Sequence, residues 1–336
     1  MTPVVPLGVP REAVFDPFLI LFLALVLDAY LGEMRLLFRV IPHPVVALGR
    51  VIDWLDHKLN RPDRGDAARR VRGVFTLVVL CTFSGALGLT VQQAAAMAPY
   101  GWALDLFFLV TMIAQRSLYD HVKAVADGLR DGGLGGGRAA VAMIVGRDTK
   151  SLDEHGVSRA AVESCAENFS DGVVAPVFWY VVAGLPGIMI YKTVNTLDSM
   201  IGHKSPHYRA FGWASARFDD LLNLIPARLA GVILSVAALF VGSAKPGRAL
   251  ATMLRDARKH RSPNAGWPEA AMAGALDLAL AGPRRYGTEV VHDPWIGTGR
   301  ARATQKDIRR ALVMLWVGCL ILWGLVVVIW LAQLAA

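Results

Sequence analysis

The sequence predicts an all-α, polytopic integral membrane protein, with about three to five transmembrane helices joined by helical cytoplasmic segments. Three observations carry this. Of 336 residues, 54% are hydrophobic and only 18% charged, against roughly a quarter charged in soluble domains. The mean hydropathy is +0.44. The apolar residues gather in runs long enough to cross a bilayer. A disordered chain, a coiled coil and a small disulfide scaffold are excluded. The three cysteines, Cys81, Cys165 and Cys319, form no CxxC or Cys/His spacing, so neither a disulfide framework nor a zinc site follows.

The elements follow in order. The first ten residues hold no Lys or Arg, and no small-residue cleavage site follows the first apolar run, which argues against a cleaved signal peptide. Phe15 to Leu31 is long enough to span, with Asp28 near its end. Leu48, Ile52, Leu55 and Leu59 recur at helical spacing between charged residues, which predicts an amphipathic helix at the membrane interface. Val74 to Ala114 is broken by Pro99-Tyr100-Gly101 and reads as a helical hairpin of two crossings. Asp131 to Gly137 is glycine-rich and lacks the P-loop Lys-Ser/Thr ending, so it reads as a linker. Val173 to Tyr191 is interrupted by Gly184-Leu185-Pro186-Gly187, and Leu229 to Ala244 is about one span long. Each of these two either crosses, dips in and returns, or packs inside protein. Ala311 to Leu334 carries no charge and is the cleanest span.

The net charge is +8. Lys and Arg concentrate in three segments: nine in 33–73, seven in 114–172 and thirteen in 244–310. Positive charge marks cytoplasmic loops, so these three face the cytoplasm and both termini lie outside. No compact basic stretch with interleaved aromatics argues for nucleic acid. The whole chain, 1–336, reads as one membrane domain whose motif-bearing region is 145–270.

Within that region the polar residues exceed what membrane packing needs. Glu163, Glu167 and Asp171 are four apart, which on an α-helix places three carboxylates within ~80° of arc and ~12 Å of length. Such a face repels itself unless a cation sits opposite. A divalent metal or Arg and Lys from elsewhere would serve, and the triplet runs into an apolar segment where idle charge is costly. Lys192, Asn195 and Asp198 share another face at spacing three. Trp213, Arg217 and Asp220 share a third, with Arg217 and Asp220 also able to form a local ion pair. Asp219 lies four before Asn223. Ser262-Pro-Asn264-Ala-Gly-Trp267-Pro268 reads as a turn that caps a helix, with Pro268 in its first turn. No GxSxG, HExxH, Walker A or GxGxxG signature occurs. Acids, amides and cations without a nucleophile or soft metal site suit electrostatic chemistry on phosphates.

Several blocks resemble the CobD/CbiB family of cobalamin biosynthesis. They are Glu163-Ser-Cys-Ala-Glu-Asn-Phe-Ser-Asp-Gly-Val-Val-Ala-Pro176, Tyr191-Lys-Thr-Val-Asn-Thr-Leu-Asp-Ser-Met-Ile-Gly202 and Phe211-Gly-Trp-Ala-Ser-Ala-Arg-Phe-Asp-Asp220. Ile225-Pro-Ala-Arg228, Ser262-Pro-Asn-Ala-Gly-Trp267, His43-Pro-Val and Val145-Gly-Arg-Asp-Thr149 fit as well. The blocks keep the family's order from about Asp28 to Tyr286. The chain departs at Gly32-Glu33-Met34, where the family usually has Gly-Asp-Pro, and at Phe169, where a small polar residue is common.

The resemblance implies adenosylcobinamide-phosphate synthase activity in the inner membrane, with a cytoplasmic active site. ATP, with Mg²⁺, would drive amide ligation of (R)-1-aminopropan-2-ol phosphate, or aminopropanol, to the free propionate of adenosylcobyric acid. Other cobalamin-biosynthesis enzymes at the membrane are the expected partners. In this scheme Glu163, Glu167, Asp171 and Asp198 hold Mg²⁺ against ATP. Arg147, Lys192 and Arg217 neutralise phosphate. Asn168 and Asn195 orient the carboxylate or amine, and Asp219 or Asp220 takes the amine proton. Trp213, Asn264 and Trp267 belong to the substrate-binding set. The rival readings are an ion-coupled transporter, a membrane scaffold for corrinoid assembly and a polyprenyl-diphosphate transferase.

Overall fold

The computed structural model describes residues 16–335 except 33, 35–36, 40–41, 147 and 287–288. Twelve α-helices occur among the described residues: α1 (Pro17–Leu31), α2 (Pro44–Leu59), α3 (Asp66–Met97), α4 (Trp102–Met112), α5 (Gln115–Val141), α6 (Glu154–Phe169), α7 (Ala175–Ile201), α8 (Trp213–Leu222), α9 (Leu224–Ala237), α10 (Pro246–Asp256), α11 (Gly266–Leu276) and α12 (Gln305–Leu334). A single antiparallel hairpin, β1 (Leu280–Tyr286) with β2 (Glu289–Ile296), interrupts the helices. The chain is an all-α polytopic membrane protein. Three helical stretches are long and apolar enough to cross a bilayer, Asp66–Met97, Glu154–Ile201 and Gln305–Leu334, and the bent pair α8 and α9 makes a fourth if counted as one span.

The helices form two compact units. The first holds the chain up to Ala114, Ala175–Asn223 and Val326–Ala336. Its core joins Ile52, Leu77, Leu80, Tyr191, Val194, Leu197, Ile201 and Phe211. Leu48, Leu55 and Leu59 pack on that core. The amphipathic stripe of α2 therefore seals a protein interior, where the sequence had it facing the interface. His43 starts α2 by accepting the Val45 N–H on Nδ1 at 3.2 Å. The Pro99 break separates α3 from α4, but α4 has only 11 residues, too few to cross a bilayer, so the expected hairpin of two crossings becomes one long helix followed by a short one.

The Gly184 break is equally real. Ala183 and Gly184 leave helical geometry, Gly184 at φ 62°, and Pro186 follows inside the helix. Such a break frees backbone donors that apolar surroundings cannot satisfy. The buried side chain of Gln92 on α3 accepts the Leu185 N–H at 3.1 Å. Gly88, one turn earlier, has no side chain, which lets α3 approach Pro186 closely: an added Cβ would stand 2.8 Å from Pro186 backbone.

The second unit holds Gln115–Val174 and Leu224–Leu325. Here α5 packs on α6, and α11 on α9 and α10. The glycine run is a helical corner and not a linker. Gly133 turns at φ 57°, and Gly128 and Gly136 then meet so closely that a Cβ on either would strike the other's carbonyl. Phe169 is fully buried, and its ring fills the space beside Gly318. That explains a large apolar residue at this family position. The hairpin is the one element the helical expectation for 244–310 missed.

Candidate functional site

In the first unit the motif residues of α7 and α8 come together. Asp198, Asp219 and Asp220 lie within electrostatic reach of one another. Asp219 is buried. Its Oδ2 accepts from Asn223 Nδ2 at 3.0 Å, while Asn223 Oδ1 accepts from the Tyr191 phenol at 3.0 Å. Asn195 approaches the same carboxylate more loosely, and Asp219 Oδ1 is left without a close hydrogen-bond partner. A buried carboxylate oxygen held with no donor is a basic atom in a fixed place. His203 lies within electrostatic reach of Asp198, and Lys204 and Arg217 within reach of Asp220, with Arg217 Nη1 3.7 Å from Asp220 Oδ2. The local pair read from the sequence is thus present.

The loop 202–212 after α7 is held against α2 and α3. Asn60 Nδ2 donates to Asp56 Oδ1 at 2.7 Å and to the His207 carbonyl at 3.2 Å. The buried Arg69 donates to Asn60 Oδ1 at 2.7 Å and also to the His207 carbonyl. Tyr208 donates to Asp56 Oδ2 at 3.3 Å. Trp213, at the start of α8, is 44% exposed and carries the Arg70 guanidinium over its ring at 5.3 Å. Lys192 lines an apolar crevice of about 280 Å³ with Leu48, Phe83, Ser84, Phe108 and Met189.

In the second unit Glu163 is buried, and its Oε1 accepts the Ala281 N–H at 2.7 Å. Ala281 sits at φ 58°, so this carboxylate anchors the strained start of β1. Asp171 lies in a π-helical turn, Ser170–Val174. The wider turn takes it out of the regular spacing that would have aligned it with Glu163 and Glu167. Asn168 donates to the Ser164 carbonyl at 2.9 Å, within its own helix. Among the described residues no three His, Cys, Asp or Glu side chains are grouped to hold a metal. The acid face of α6 is therefore not a preassembled metal cage. Arg147 lies outside the described residues.

A second constellation stands at the start of α11. Ser262 Oγ accepts the N–H groups of Asn264 and Ala265, each at 3.2 Å, which closes the turn before α11. Pro268 falls in the first turn of that helix as expected, but Ala265 stands at its N-cap with no side-chain cap, so the capping part of the reading does not hold. Arg228 Nη1 donates to the Leu224 carbonyl at 2.6 Å and to Asn264 Oδ1 at 3.3 Å, and its guanidinium lies 4.5 Å from the Trp267 ring centre. Sequence reasoning quoted Arg228 within its block without giving it a task, and it passed over Tyr191 and Asn223 as site residues. Asn223 was signalled only by its spacing from Asp219.

Fold and sites together define a polytopic helical membrane protein with buried acid–amide machinery beside its apolar helices. The family model described as CobD/Cbib protein matches residues 21–315. Cobalamin biosynthesis protein CobD of Sinorhizobium sp is 54% identical over 314 residues, 93% of this chain and 97% of that protein. The protein of that name from Brucella melitensis is 49% identical over 314 residues, 92% and 95% of the two chains. That of Rhodobacter capsulatus is 48% identical over 315 residues, 91% and 96%. No solved structure matches. The chain belongs to the CobD/CbiB family.

Proposed function

We propose that this protein is the amide ligase of its pathway, joining (R)-1-aminopropan-2-ol phosphate, or aminopropanol, to the free propionate of adenosylcobyric acid at the expense of ATP. A role in cobalamin biosynthesis follows from the family, whose members named above carry that description. The observation that carries the finer reading is the convergence of Asn195 and Asp198 from one motif block with Asp219 from another, and with Asn223 just beyond it.

A carboxylate does not condense with an amine in neutral water, because hydroxide is too poor a leaving group. Transfer of the γ-phosphoryl group of ATP to the propionate oxygen gives an acyl phosphate and ADP. The amine nitrogen then attacks the acyl carbon, the carbon–oxygen bond to phosphate breaks, and inorganic phosphate leaves. The nitrogen sheds a proton in that step. Asp219 Oδ1, buried and without a close donor, is the base that receives it. Asn223 and Asn195 fix the carboxylate, and Asp198 and Asp220 keep the neighbourhood anionic, so that the ammonium form of the substrate is drawn in and gives up a first proton to solvent before the free amine attacks. Lys192 and Arg217 serve the phosphates. One or two carboxylates of this chain would complete the shell of a Mg²⁺ ion held mainly by phosphate oxygens, and the ion would supply charge neutralisation for the phosphoryl group. Glu167 on α6 and Asp171 in the π-helical turn after it are the candidates.

The test is ADP release by the detergent-purified protein. It should require corrinoid and amine together and should fall by at least about a hundredfold in Asp219→Asn. Nucleotide hydrolysis indifferent to the amine would refute the ligase reading.

A further inference from the structure

The run Arg255 to Arg261 is cationic, and almost every cation in it has an acid. Arg255 and Lys259 both bind Asp256, at 2.6 and 2.7 Å. Arg261 binds Asp293 at 2.6 Å. His260 Nε2 lies 3.7 Å from Glu269. Arg258 is the exception: among the described residues it has neither an ion pair nor a hydrogen bond. It lies within electrostatic reach of another cation, Arg228.

Arg228 is itself unusual. It has no acid partner among the described residues, yet it is held rigidly. Nη1 is committed to the Leu224 carbonyl and Asn264 Oδ1, and the plane rests on Trp267, whose own Nε1 is tied to the Pro263 carbonyl at 3.1 Å. Nε and Nη2 form no hydrogen bond in the described structure. They remain as one edge of a fixed fork, the geometry that matches phosphate oxygens. Two like charges within reach of one another, neither with an acid partner among the described residues, are unfavourable until an anion arrives.

We propose that Arg228 and Arg258, with Asn264 and Trp267, form a binding site for a phosphomonoester dianion, and that its occupant is the phosphate of the amine substrate. The naming of that occupant rests on the ligase reading; the anion site does not. Arg228 supplies the fixed fork, Arg258 the second charge, and Trp267 the surface that holds the fork in place. A lipid headgroup offers the same phosphate chemistry, so the test separates the two.

The full chain in detergent is titrated with aminopropanol phosphate and with inorganic phosphate, following binding by calorimetry without ATP or corrinoid. Arg258 is exposed, so Arg258→Gln should fold normally, with Arg302→Gln as a charge-matched control. Both anions should bind the parent protein and the control, and about tenfold or more weaker binding should follow in Arg258→Gln, the worth of one charge-assisted contact. Arg228→Lys, which keeps the charge and loses the fork, should be weakened as well. In turnover, Arg258→Gln should raise KM for aminopropanol phosphate and leave that for free aminopropanol unchanged. Equal phosphate binding by parent and Arg258→Gln would overturn the site. Loss of binding only in nanodiscs containing phosphatidic acid, with none in pure phosphatidylcholine, would overturn the substrate as its occupant. Absence of ligation with phosphate binding intact would strike the ligase reading and leave the anion site standing.

Discussion

The Tyr191 phenol donates to Asn223 Oδ1 at 3.0 Å, and this bond decides which end of the Asn223 amide faces Asp219. With Oδ1 occupied, Nδ2 is turned to the carboxylate. Both residues are buried, so Tyr191→Phe leaves the amide oxygen unsatisfied at a cost of about 1–3 kcal/mol. The amide is then free to flip, and Asp219 loses its fixed donor. The expected result is a fall in kcat of about tenfold with KM little changed. Steady-state kinetics on a variant shown to fold by its melting curve checks this.

Gly202 makes the second contact that shapes the cluster. A Cβ there would overlap Asp198 Oδ1 and stand 2.7 Å from the Asp198 carbonyl. Gly202→Ala should push the Asp198 carboxylate aside. Turnover should drop by an order of magnitude or more, for a stability cost of about 1–3 kcal/mol. Unchanged turnover would mean that the position of Asp198 is immaterial.

The α7 break depends on Gln92. Gln92→Leu removes the acceptor of the Leu185 N–H in apolar surroundings, which should cost about 1–3 kcal/mol. A melting curve in detergent measures it. The α3–α7 contact at Gly88 predicts that Gly88→Ala is destabilising as well.

Asp256 gives a pH signature. The Arg255 guanidinium, aided by Lys259 and the Gly297 N–H, holds its carboxyl well below the usual carboxylate range against the opposing effect of burial. A carboxylate depressed in this way contributes stability that is complete above its unfolded pKa of about 4 and is lost as pH falls through the folded value. Asp256→Asn should therefore melt lower than the parent at pH 7. The gap should hold down to about pH 4 and narrow only below it. A gap that is already closed at pH 6 would contradict the assignment.

Much of this was legible in the sequence, because apolar run length, Pro and Gly breaks and helix caps act locally. The break at Pro99, the α7 break at Gly184 and the uncharged stretch of α12 from Ala311 to Leu334 all stand where periodicity and punctuation put them, and Pro268 falls in the first turn of α11. The clustering of Asp198 with Asp219 was legible only as two neighbouring motif faces. What could not be read were pairings between distant residues. Nothing in the sequence joins Arg69 and Asn60 to His207, or Glu163 to Ala281, since such bonds leave no periodic trace. The π-helical turn at Ser170–Val174 likewise shifts Asp171 by a fraction of a turn, which residue spacing alone does not show.

The most direct test of the central claim reads the corrinoid itself. The purified protein is supplied with adenosylcobyric acid, aminopropanol phosphate and Mg-ATP, and the corrinoid is examined by mass spectrometry. The account predicts a mass gain equal to the amine less one water, absent without ATP or amine and absent in Asp219→Asn. A folded, substrate-saturated protein that leaves the corrinoid mass unchanged, with or without soluble cell extract, would contradict it.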